Sequence, residues 1–391
     1  MKNLASEVLK RIRENIQTYT IILALAAIWI FFGVLTDGAY LSAQNFSNLF
    51  RQITLTSFLA IGMVLVIVAG HIDLSVGKAA GFVSVVVAQL QANVWYNIIP
   101  DQPLLAAILS VIIGLLVGLA WGSVLGYFIA YLNIPAFIVT LGGLFIMRGG
   151  ILLITKGKTI PANQIYFSSI AQDYISPTIS WIIAALVVVL LFFNMYQTRR
   201  KKQQYGFELS SIYIDLMATV FLSALVIIYV VIVNKYKGLQ VPVVLMAITA
   251  LVMSYVSNNT RFGRYVYAIG GNREAARLSG INIKKQNFLI FLLMGFLTGV
   301  GGILLASYVG YGTIAAGEGY ELDAIAAAIL GGTSPLGGVG TVFGALIGSL
   351  IMSSLTNGLQ IMNVEASWQY LLKGMVLVLA VYADVMFKKN K

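Results

Sequence analysis

The sequence contains no cysteine and only one histidine, His71. Without cysteine the chain can form neither disulfide bonds nor the zinc and iron–sulfur sites that depend on thiolates. The acidic residues are not clustered at the spacing of metal ligands either. These absences exclude a disulfide-stapled scaffold, and they predict that the chain itself binds no metal and no cofactor.

Charged residues are scarce as well. They make up 10% of the 391 residues, whereas hydrophobic residues make up 59%. Soluble domains carry about a quarter charged residues, so this chain has too little polar surface to cover a globule in water. Its 38 glycines and 7 prolines suit transmembrane helices, in which glycine allows close backbone approach. The composition therefore predicts an all-α polytopic membrane protein in a lipid bilayer.

The net charge of +11 raises the question of a nucleic-acid partner, which the positions of the charges exclude. Seventeen of the 25 lysines and arginines fall in four clusters that each adjoin an apolar stretch, as in the positive-inside pattern of membrane proteins. The clusters are Lys2 with Lys10, Arg11 and Arg13; Arg199, Arg200, Lys201 and Lys202; Arg261, Arg264, Arg273, Arg277, Lys284 and Lys285; and Lys388, Lys389 and Lys391.

Twelve apolar stretches are candidates for membrane crossings, each of which needs a helix of about 20 residues. Several are short or interrupted by glycine, so we predict about 10 transmembrane helices built from roughly 10–12 helical pieces. The stretches are 19–35, 52–70, 74–92, 104–131, 136–154, 178–195, 213–233, 240–256, 287–310, 322–332, 336–356 and 368–387.

All four basic clusters can face the cytoplasm at once. Six crossings from a cytoplasmic N-terminus bring Arg199–Lys202 inside, and two more bring 257–286 inside. The C-terminus is also cytoplasmic if 322–332 is a short crossing or half-helix. The first apolar stretch has no cleavage pattern and is predicted to remain as a helix. The predicted organisation is a cytoplasmic segment 1–18, one transmembrane domain 19–387 with a cytoplasmic loop at 257–286, and a cytoplasmic tail 388–391.

Two glycine stripes predict close helix packing. Residues four apart lie on one face of a helix, and a row of glycines there makes a groove for a second helix. The functional alternative is an element that slides or rocks during transport. The stripes are Gly114, Gly118, Gly122 and Gly126, and Gly340, Gly344 and Gly348.

No catalytic motif is complete. Gly157-Lys158-Thr159 resembles the end of a phosphate-binding loop, but Leu152 stands where that motif needs glycine. His71 and Asp73 are present without anything like a nucleophile elbow. The sequence therefore predicts a protein that is not an enzyme.

Polar residues interrupt the apolar pattern between Gly70 and Lys78. Asp73 and Ser75 are good N-cap residues, and one interpretation is that Asp73 caps a half-helix inside the bundle. The competing interpretation is a cytoplasmic turn between two spans, with these side chains at the level of the headgroups. His71 by itself is interpreted as a hydrogen-bonded packing residue rather than a proton relay.

Arg148 lies beside glycine pairs in another apolar stretch. It either extends to an interface or pairs with a carboxylate inside the bundle, for which Asp323 is the candidate. A second glycine-rich interruption occupies 331–340. Broken helices in corresponding places of two halves often mark the pathway of a transporter.

A short helix is predicted over Arg273–Ser279 in the third basic cluster. Asn272 can cap its start, and Gly280 can end it in a left-handed conformation. Ala275, Ala276 and Leu278 give it a small apolar surface that it cannot bury alone. The pattern indicates a docking element, and the alternative is an interfacial helix that lies on lipid.

Several stretches together resemble the permease subunits of bacterial ABC importers for monosaccharides, the ribose, galactose and xylose group, and most closely the xylose type. The resemblance covers nearly the whole chain in order and is weakest over 155–240. It is carried by TDGAYLS at 36–42, IDLSVG at 72–77, IPAFIVTL at 134–141, YAIGGN at 267–272, EAARLSGI at 274–281, ELDAIAA at 321–327 and GGTS at 331–334.

The resemblance implies a fold like that of type II ABC importers in the bacterial inner membrane. Two copies of the chain would form a homodimer, and a periplasmic or lipid-anchored binding protein would deliver the monosaccharide. A separate cytoplasmic ATPase would bind ATP and magnesium and hydrolyse ATP. It would dock on the coupling helix formed by Gly271, Asn272, Glu274, Ala275, Ala276, Arg277, Leu278, Ser279 and Gly280.

The alternative function is a self-sufficient, ion-coupled secondary sugar transporter. Such a carrier usually needs buried carboxylates in its spans, and only Asp73, Asp323 and Glu321 are available. The candidates for the translocation pathway are charged, hydroxyl, amide and aromatic side chains, namely Asp73, Ser75, Phe145, Arg148, Tyr308, Tyr311, Asp323, Asn357 and Gln360.

Overall fold

A computed structural model describes residues 16–207, 209 and 211–389. Most of the predicted cytoplasmic segment 1–18, with its four basic residues, lies outside the described residues, and so does Lys391 of the predicted tail 388–391. The described chain is almost entirely helical, which confirms the predicted all-α fold.

The helices follow one another with short connections. A 3₁₀ turn occupies Ala39–Leu41, and a π-helical turn at Leu90–Val94 joins α3 to α4. In chain order the helices are α1 (Ile16–Leu35), α2 (Ala43–Val68), α3 (Val76–Gln89), α4 (Trp95–Ile98), α5 (Pro103–Ala130), α6 (Ala136–Thr155), α7 (Ile165–Gln172), α8 (Pro177–Gln204), α9 (Ile212–Asn234), α10 (Val241–Asn259), α11 (Arg261–Gly271), α12 (Arg273–Leu278), α13 (Ile283–Val309), α14 (Tyr320–Leu330), α15 (Val342–Ile361) and α16 (Ala366–Lys389).

Among the described residues, eight helices are long and apolar enough to cross a membrane: α2, α5, α6, α8, α9, α10, α13 and α15. Each of the twelve predicted stretches contains a helix. The helical pieces outnumber the prediction because α4, α7, α11 and α12 are short helices in the connections. The stretch 322–332 forms α14, which has 11 residues and is too short to cross a bilayer alone.

Two helices begin elsewhere than the apolar pattern predicts. Helix α2 begins at Ala43 rather than residue 52, because the Oγ atom of Ser42 accepts a hydrogen bond from the backbone N–H of Asn45. Its polar first turns hide this start from hydropathy. Helix α15 begins at Val342 rather than residue 336, and the Oγ1 atom of Thr341 caps it by accepting from the N–H of Gly344 at 3.0 Å.

Contacts between connections agree with the predicted topology. Two short antiparallel ladders pair β1 (Ile160–Pro161) with β4 (Tyr311–Gly312), and β2 (Tyr174–Ile175) with β3 (Leu239–Gln240). The predicted topology places all four strands on the outer side. An ion pair between Arg199 and Asp215 joins the end of α8 to the start of α9. The predicted topology places both of these helix ends on the inner side.

Helix α2 forms the centre of the bundle. It packs against α10, α13, α14 and α15, and 89% of its most apolar 18-residue window is buried. The corresponding share is only 11% in α8 and 22% in α6 and α9. Because these outer helices expose apolar side chains almost all round, lipid must cover them.

The first glycine stripe faces a matching set of glycines on α13. A Cβ at Gly118 would overlap the carbonyl oxygen of Gly295, and one at Gly122 would lie 2.9 Å from the Cα of the same residue. In the second stripe, Gly344 and Gly348 lie against the backbone of α14. The predicted close packing is therefore confirmed for the first stripe and for Gly344 and Gly348, and it brings the backbones of α5 and α13 into direct contact. Gly340 does not belong to a helical stripe, because α15 begins only at Val342 and Gly340 lies in the loop before it.

We expect Gly118→Ala to destabilise the protein by about 1–3 kcal/mol, because the new methyl group would overlap α13. Gly142→Ala is the matched control, since nothing lies within 4 Å of a Cβ at that helical position. The control should be as stable as the wild type or slightly more stable, because alanine is the better helix former. Thermal unfolding in detergent measures both variants. Equal melting temperatures would contradict the backbone contact between α5 and α13.

Candidate functional site

The short helix α12, which the predicted topology places in the cytoplasm, forms with both expected caps. The Oδ1 atom of Asn272 accepts a hydrogen bond from the N–H of Ala275 at 3.0 Å. At the other end, Gly280 has a φ of +82°, and the N–H of Ile281 donates to the carbonyl of Ala276 at 3.1 Å. This pattern is a left-handed helix stop. The predicted helix is confirmed, although it ends at Leu278 rather than Ser279.

Most of the surface of α12 is exposed. Only Ala276 is buried, whereas Leu278 is 80% exposed. Glu274 and Arg277 pair beside it at 3.0 Å, an exposed contact that contributes little stability. A cavity of about 590 Å³ lies between α12 and the start of α13, with Lys284 in its lining. The helix therefore presents one large apolar side chain in a charged rim next to a groove.

Direct backbone contacts attach this region to the transmembrane bundle. The last turn of α11 lies so close to α2 that a Cβ at Gly270 would overlap the carbonyl oxygen of Val68. That carbonyl accepts a hydrogen bond from the N–H of Gly338 at 2.9 Å. The hydroxyl of Tyr267 donates to the carbonyl of Gly340 at 2.7 Å. A displacement of α12 would thus reach both α2 and the glycine-rich loop 331–341.

Asp73 caps α3 from inside the bundle. Its Oδ1 atom accepts hydrogen bonds from the backbone N–H and the hydroxyl of Ser75, at 2.8 and 2.7 Å. The indole N–H of Trp121 donates to the same hydroxyl at 3.2 Å. Asp73 is only 2% exposed. The geometry favours the buried cap over a turn in which Asp73 lies among headgroups.

His71 packs beside the same loop. Its ring centroid lies 5.9 Å from that of Phe291. Burial, reinforced by the nearby positive charge of Arg273, lowers the pKa of His71 to about 4, although a hydrogen bond with Asn287 opposes this. The imidazole is therefore neutral near pH 7, as suits a packing residue.

The candidate pathway residues fall into separate places. Tyr308, Asp323 and Gln360 line one polar cavity of about 300 Å³. We call it the polar cavity; it is enclosed by α2, α13, α14, α15 and α16 with the turn before α14. Asn357 contacts its rim through Gln52, with 3.4 Å between the two side chains.

The other five candidates lie away from the polar cavity. Phe145 is 62% exposed and Arg148 is exposed on α6, whereas Tyr311 is half-exposed in β4. Asp73 and Ser75 precede α3, as described above. All the candidates in the cavity lining come from the C-terminal third of the chain, although Tyr311 of that third lies outside it.

Asp323 pairs with Lys373, which corrects the expected pairing with Arg148. The Nζ atom of Lys373 donates to the Oδ2 atom of Asp323 at 2.8 Å. Asp323 is 5% exposed, and its Oδ1 atom is buried without a hydrogen-bond partner. Sequence analysis missed Lys373 because it lies within an apolar stretch. A lone lysine in such a stretch was the available signal, since buried charges need partners.

A row of four amide side chains leads to the polar cavity. The Nδ2 atom of Asn45 donates to the Oδ1 atom of Asn357 at 2.9 Å. Asn357 in turn donates to Gln52, and Gln52 to Gln360, each at 3.4 Å. We call this row the amide ladder. Asn45 and Gln52 are seven residues apart in α2 and so lie on one helix face, which was the signal that sequence analysis missed.

The profile of a protein family matches residues 45–381, and it is described as the permease component of a branched-chain amino acid transport system. The chain belongs to this family of transport permeases and is a multi-pass protein of the inner membrane. It is 42% identical to the xylose transport system permease protein XylH of Haemophilus influenzae, over 96% of this chain and 98% of that protein.

Further relatives agree with the first. XylH of Escherichia coli K12 is 41% identical, over 96% of this chain and 93% of its own length. The ribose import permease protein RbsC of Haemophilus influenzae is 31% identical, over 88% and 86%. No solved structure matches the chain. The resemblance to monosaccharide permeases, closest to the xylose type, is confirmed.

The lowered pKa of His71 predicts an acid sensitivity. The unfolded chain takes up a proton near the ordinary histidine pKa of about 6.5, whereas the folded chain does so only near pH 4. His71 therefore destabilises the fold progressively as the pH falls below about 6.5.

The melting temperature of His71→Gln should decrease less between pH 7 and pH 5 than that of the wild type. No other histidine titrates in this range, because the chain has only one. Thermal unfolding at a series of pH values measures the difference. Identical pH dependence in both proteins would show that His71 is not buried as described.

Proposed function

We propose that this chain is the membrane-spanning permease subunit of an ATP-driven importer for a monosaccharide, of the xylose type or a related pentose or hexose. The carrying observation is α12, a doubly capped helix with an exposed Leu278, which follows directly on α11, whose last turn contacts the backbone of α2. The names of the most similar relatives, xylose and ribose permeases, support the choice of sugar.

The chemistry of α12 suits insertion into a groove of a cytoplasmic ATPase. An exposed leucine within a charged rim is a typical anchor for helix-in-groove recognition. The caps at Asn272 and Gly280 hold the helix without help from a partner, so little ordering entropy opposes docking. Leu278 and Ala275 would supply apolar contact, and Glu274 and Arg277 would fix the orientation. Gly271 and Ser279 flank the helix at its two ends.

The partner ATPase would bind ATP and magnesium, and this chain would convert the partner's movement into a change of the pathway. Gly270 and Gly338 contact Val68 at the cytoplasmic end of α2. The opposite part of α2 carries Asn45 and Gln52 of the amide ladder. One buried helix therefore connects the docking surface with the polar cavity.

Two further partners complete the proposal. A second copy of the chain would form the other half of the pathway, and a periplasmic or lipid-anchored binding protein would deliver the sugar on the outer side. Because the binding protein meets the sugar first, most of the selectivity would reside there rather than in the permease.

The alternative function, an ion-coupled carrier, is motivated by the buried carboxylates Asp73 and Asp323. Both already have structural partners: Asp73 caps α3, and Asp323 pairs with Lys373. A proton relay needs a carboxylate that can exchange its proton during each cycle, so these contacts favour the importer.

The test is co-purification with the neighbouring ATPase candidate, followed by an ATPase assay in lipid with loaded binding protein. We expect Leu278→Asp to weaken association by about tenfold or more, since it places a charge in the apolar centre of the contact. Glu274→Ala should have a smaller effect. Ile165→Asp is the matched control, because this residue is 71% exposed on α7, which the topology places outside.

The importer is supported if the wild type and Ile165→Asp retain the ATPase and its stimulation by sugar-loaded binding protein, while Leu278→Asp loses both. Sugar uptake by the wild-type chain alone, driven by an ion gradient, would instead establish the carrier. If Leu278→Asp leaves both the association with the ATPase and its stimulation unchanged, α12 is not the docking helix.

A further inference from the structure

The polar cavity contains an unusual combination of side chains for a membrane domain. Three tyrosines, Tyr308, Tyr320 and Tyr370, contribute rings to its lining. Gln52, Gln360 and Gln369 contribute amides, and hydroxyl groups from α2 and α15 lie between them. Aromatic faces beside neutral donors and acceptors suit the apolar ring faces and the hydroxyl rim of a sugar.

Asp323 gives the cavity an acceptor that nothing in the described part of the chain uses. Its Oδ2 atom is held by Lys373, but its Oδ1 atom is buried without a partner. A buried unpaired acceptor is costly unless a ligand or water supplies a donor. A carboxylate oxygen is a strong acceptor for hydroxyl groups, because the hydrogen bond is assisted by charge.

The same ion pair determines which class of ligand fits. Lys373 compensates the charge of Asp323. Glu318, the other carboxylate in the lining, pairs with Lys78 at 3.6 Å, so the cavity is close to neutral. A charged solute would gain little attraction there and would lose its hydration. A neutral, hydroxyl-rich solute loses less and gains the free acceptor.

The size of the cavity agrees with one small ring. A water molecule occupies about 30 Å³ in the liquid, so a cavity of about 300 Å³ has the volume of roughly ten waters. A pentose or hexose ring fits this space. Gln360 and Tyr370 are exposed at the rim, whereas Asp323 at the base is buried, so the cavity has an open mouth.

We propose that the polar cavity is a sugar-binding site within the membrane domain, where one monosaccharide stops during translocation and donates a hydroxyl hydrogen bond to the free oxygen of Asp323. This inference rests on the proposed function for its ligand. The amide ladder reaches the site from Asn45 near the start of α2, and its members Gln52 and Gln360 belong to the cavity lining.

The absence of cysteine from the natural chain permits a direct test. Ser353→Cys places a single, nearly isosteric thiol in the cavity lining. Thr159→Cys is the matched control, because this exposed residue lies in the connection between α6 and β1. The rate of maleimide labelling of the purified, full-length protein in detergent is measured with D-xylose, and with glycine betaine at the same osmolarity.

We expect D-xylose to slow the labelling of Ser353→Cys by about threefold or more at saturation, because an occupied site excludes the reagent by mass action. Betaine should not slow it, and the labelling of Thr159→Cys should be unchanged by either solute. Equal slowing of both cysteines, or of neither, would overturn the proposal.

Two second-site variants identify the groups that bind. Adding Gln360→Leu or Asp323→Asn to Ser353→Cys should shift half-maximal protection to higher D-xylose concentration by about fivefold or more. Gln360→Leu removes a hydrogen-bonding group, and Asp323→Asn replaces the charged acceptor with a weaker, neutral one. Gln360→Leu lies at the exposed rim and so guards against misfolding of the Asp323 variant, which size-exclusion chromatography reports. If the D-xylose concentration for half-maximal protection is unchanged in both folded variants, the assignment of Asp323 and Gln360 as sugar-binding residues is wrong.

These outcomes separate the site from the proposed function. Labelling protection requires neither ATP nor an ATPase, so it can succeed even if the chain proves to be a carrier. Conversely, the wild type can show sugar-stimulated ATPase activity while D-xylose fails to protect Ser353→Cys. In that case the importer function stands and this binding site is excluded.

Discussion

The contact between the glycine faces of α5 and α13 is the constraint on which the rest of the structure depends. In lipid there is no hydrophobic gain from bringing two apolar helices together, so their association relies on close packing. Gly118, Gly122 and Gly295 provide it by removing side chains from the interface. Helix α13 is fixed in this way, and it runs from the connection after α12 to Tyr308 at the polar cavity.

The charged groups Asp73, Asp323 and Lys373 inside the bundle are each bound to a specific neighbour. An unsatisfied polar group in hydrocarbon costs several kcal/mol, so the bundle can hold few of them. Asp73 is bound by Ser75, and Lys373 by Asp323. The Oδ1 atom of Asp323 is one of several buried side-chain atoms without a partner, and Asp323 lies in the lining of the polar cavity, where a solute hydroxyl can reach it.

The buried helix α2 connects the region beside α12 with the polar cavity. The carbonyl of Val68 at one end of α2 accepts a hydrogen bond from Gly338 and lies against Gly270, while Gln52 in the other half of the helix borders the polar cavity. Close-packed interiors transmit displacement rather than absorb it. Movement imposed on α12 can therefore alter the cavity without any flexible linkage.

The sequence by itself determined the membrane class, the twelve apolar stretches and the capped helix at Asn272. These properties are local, because hydropathy, charge and capping act within one segment. Only the tertiary structure decided that Asp323 pairs with Lys373 rather than Arg148, and that Phe145 lies apart from Tyr308. Such pairings depend on how each helix is rotated about its axis and on which helices lie beside it. Apolar stretches of nearly uniform hydropathy predict neither of these.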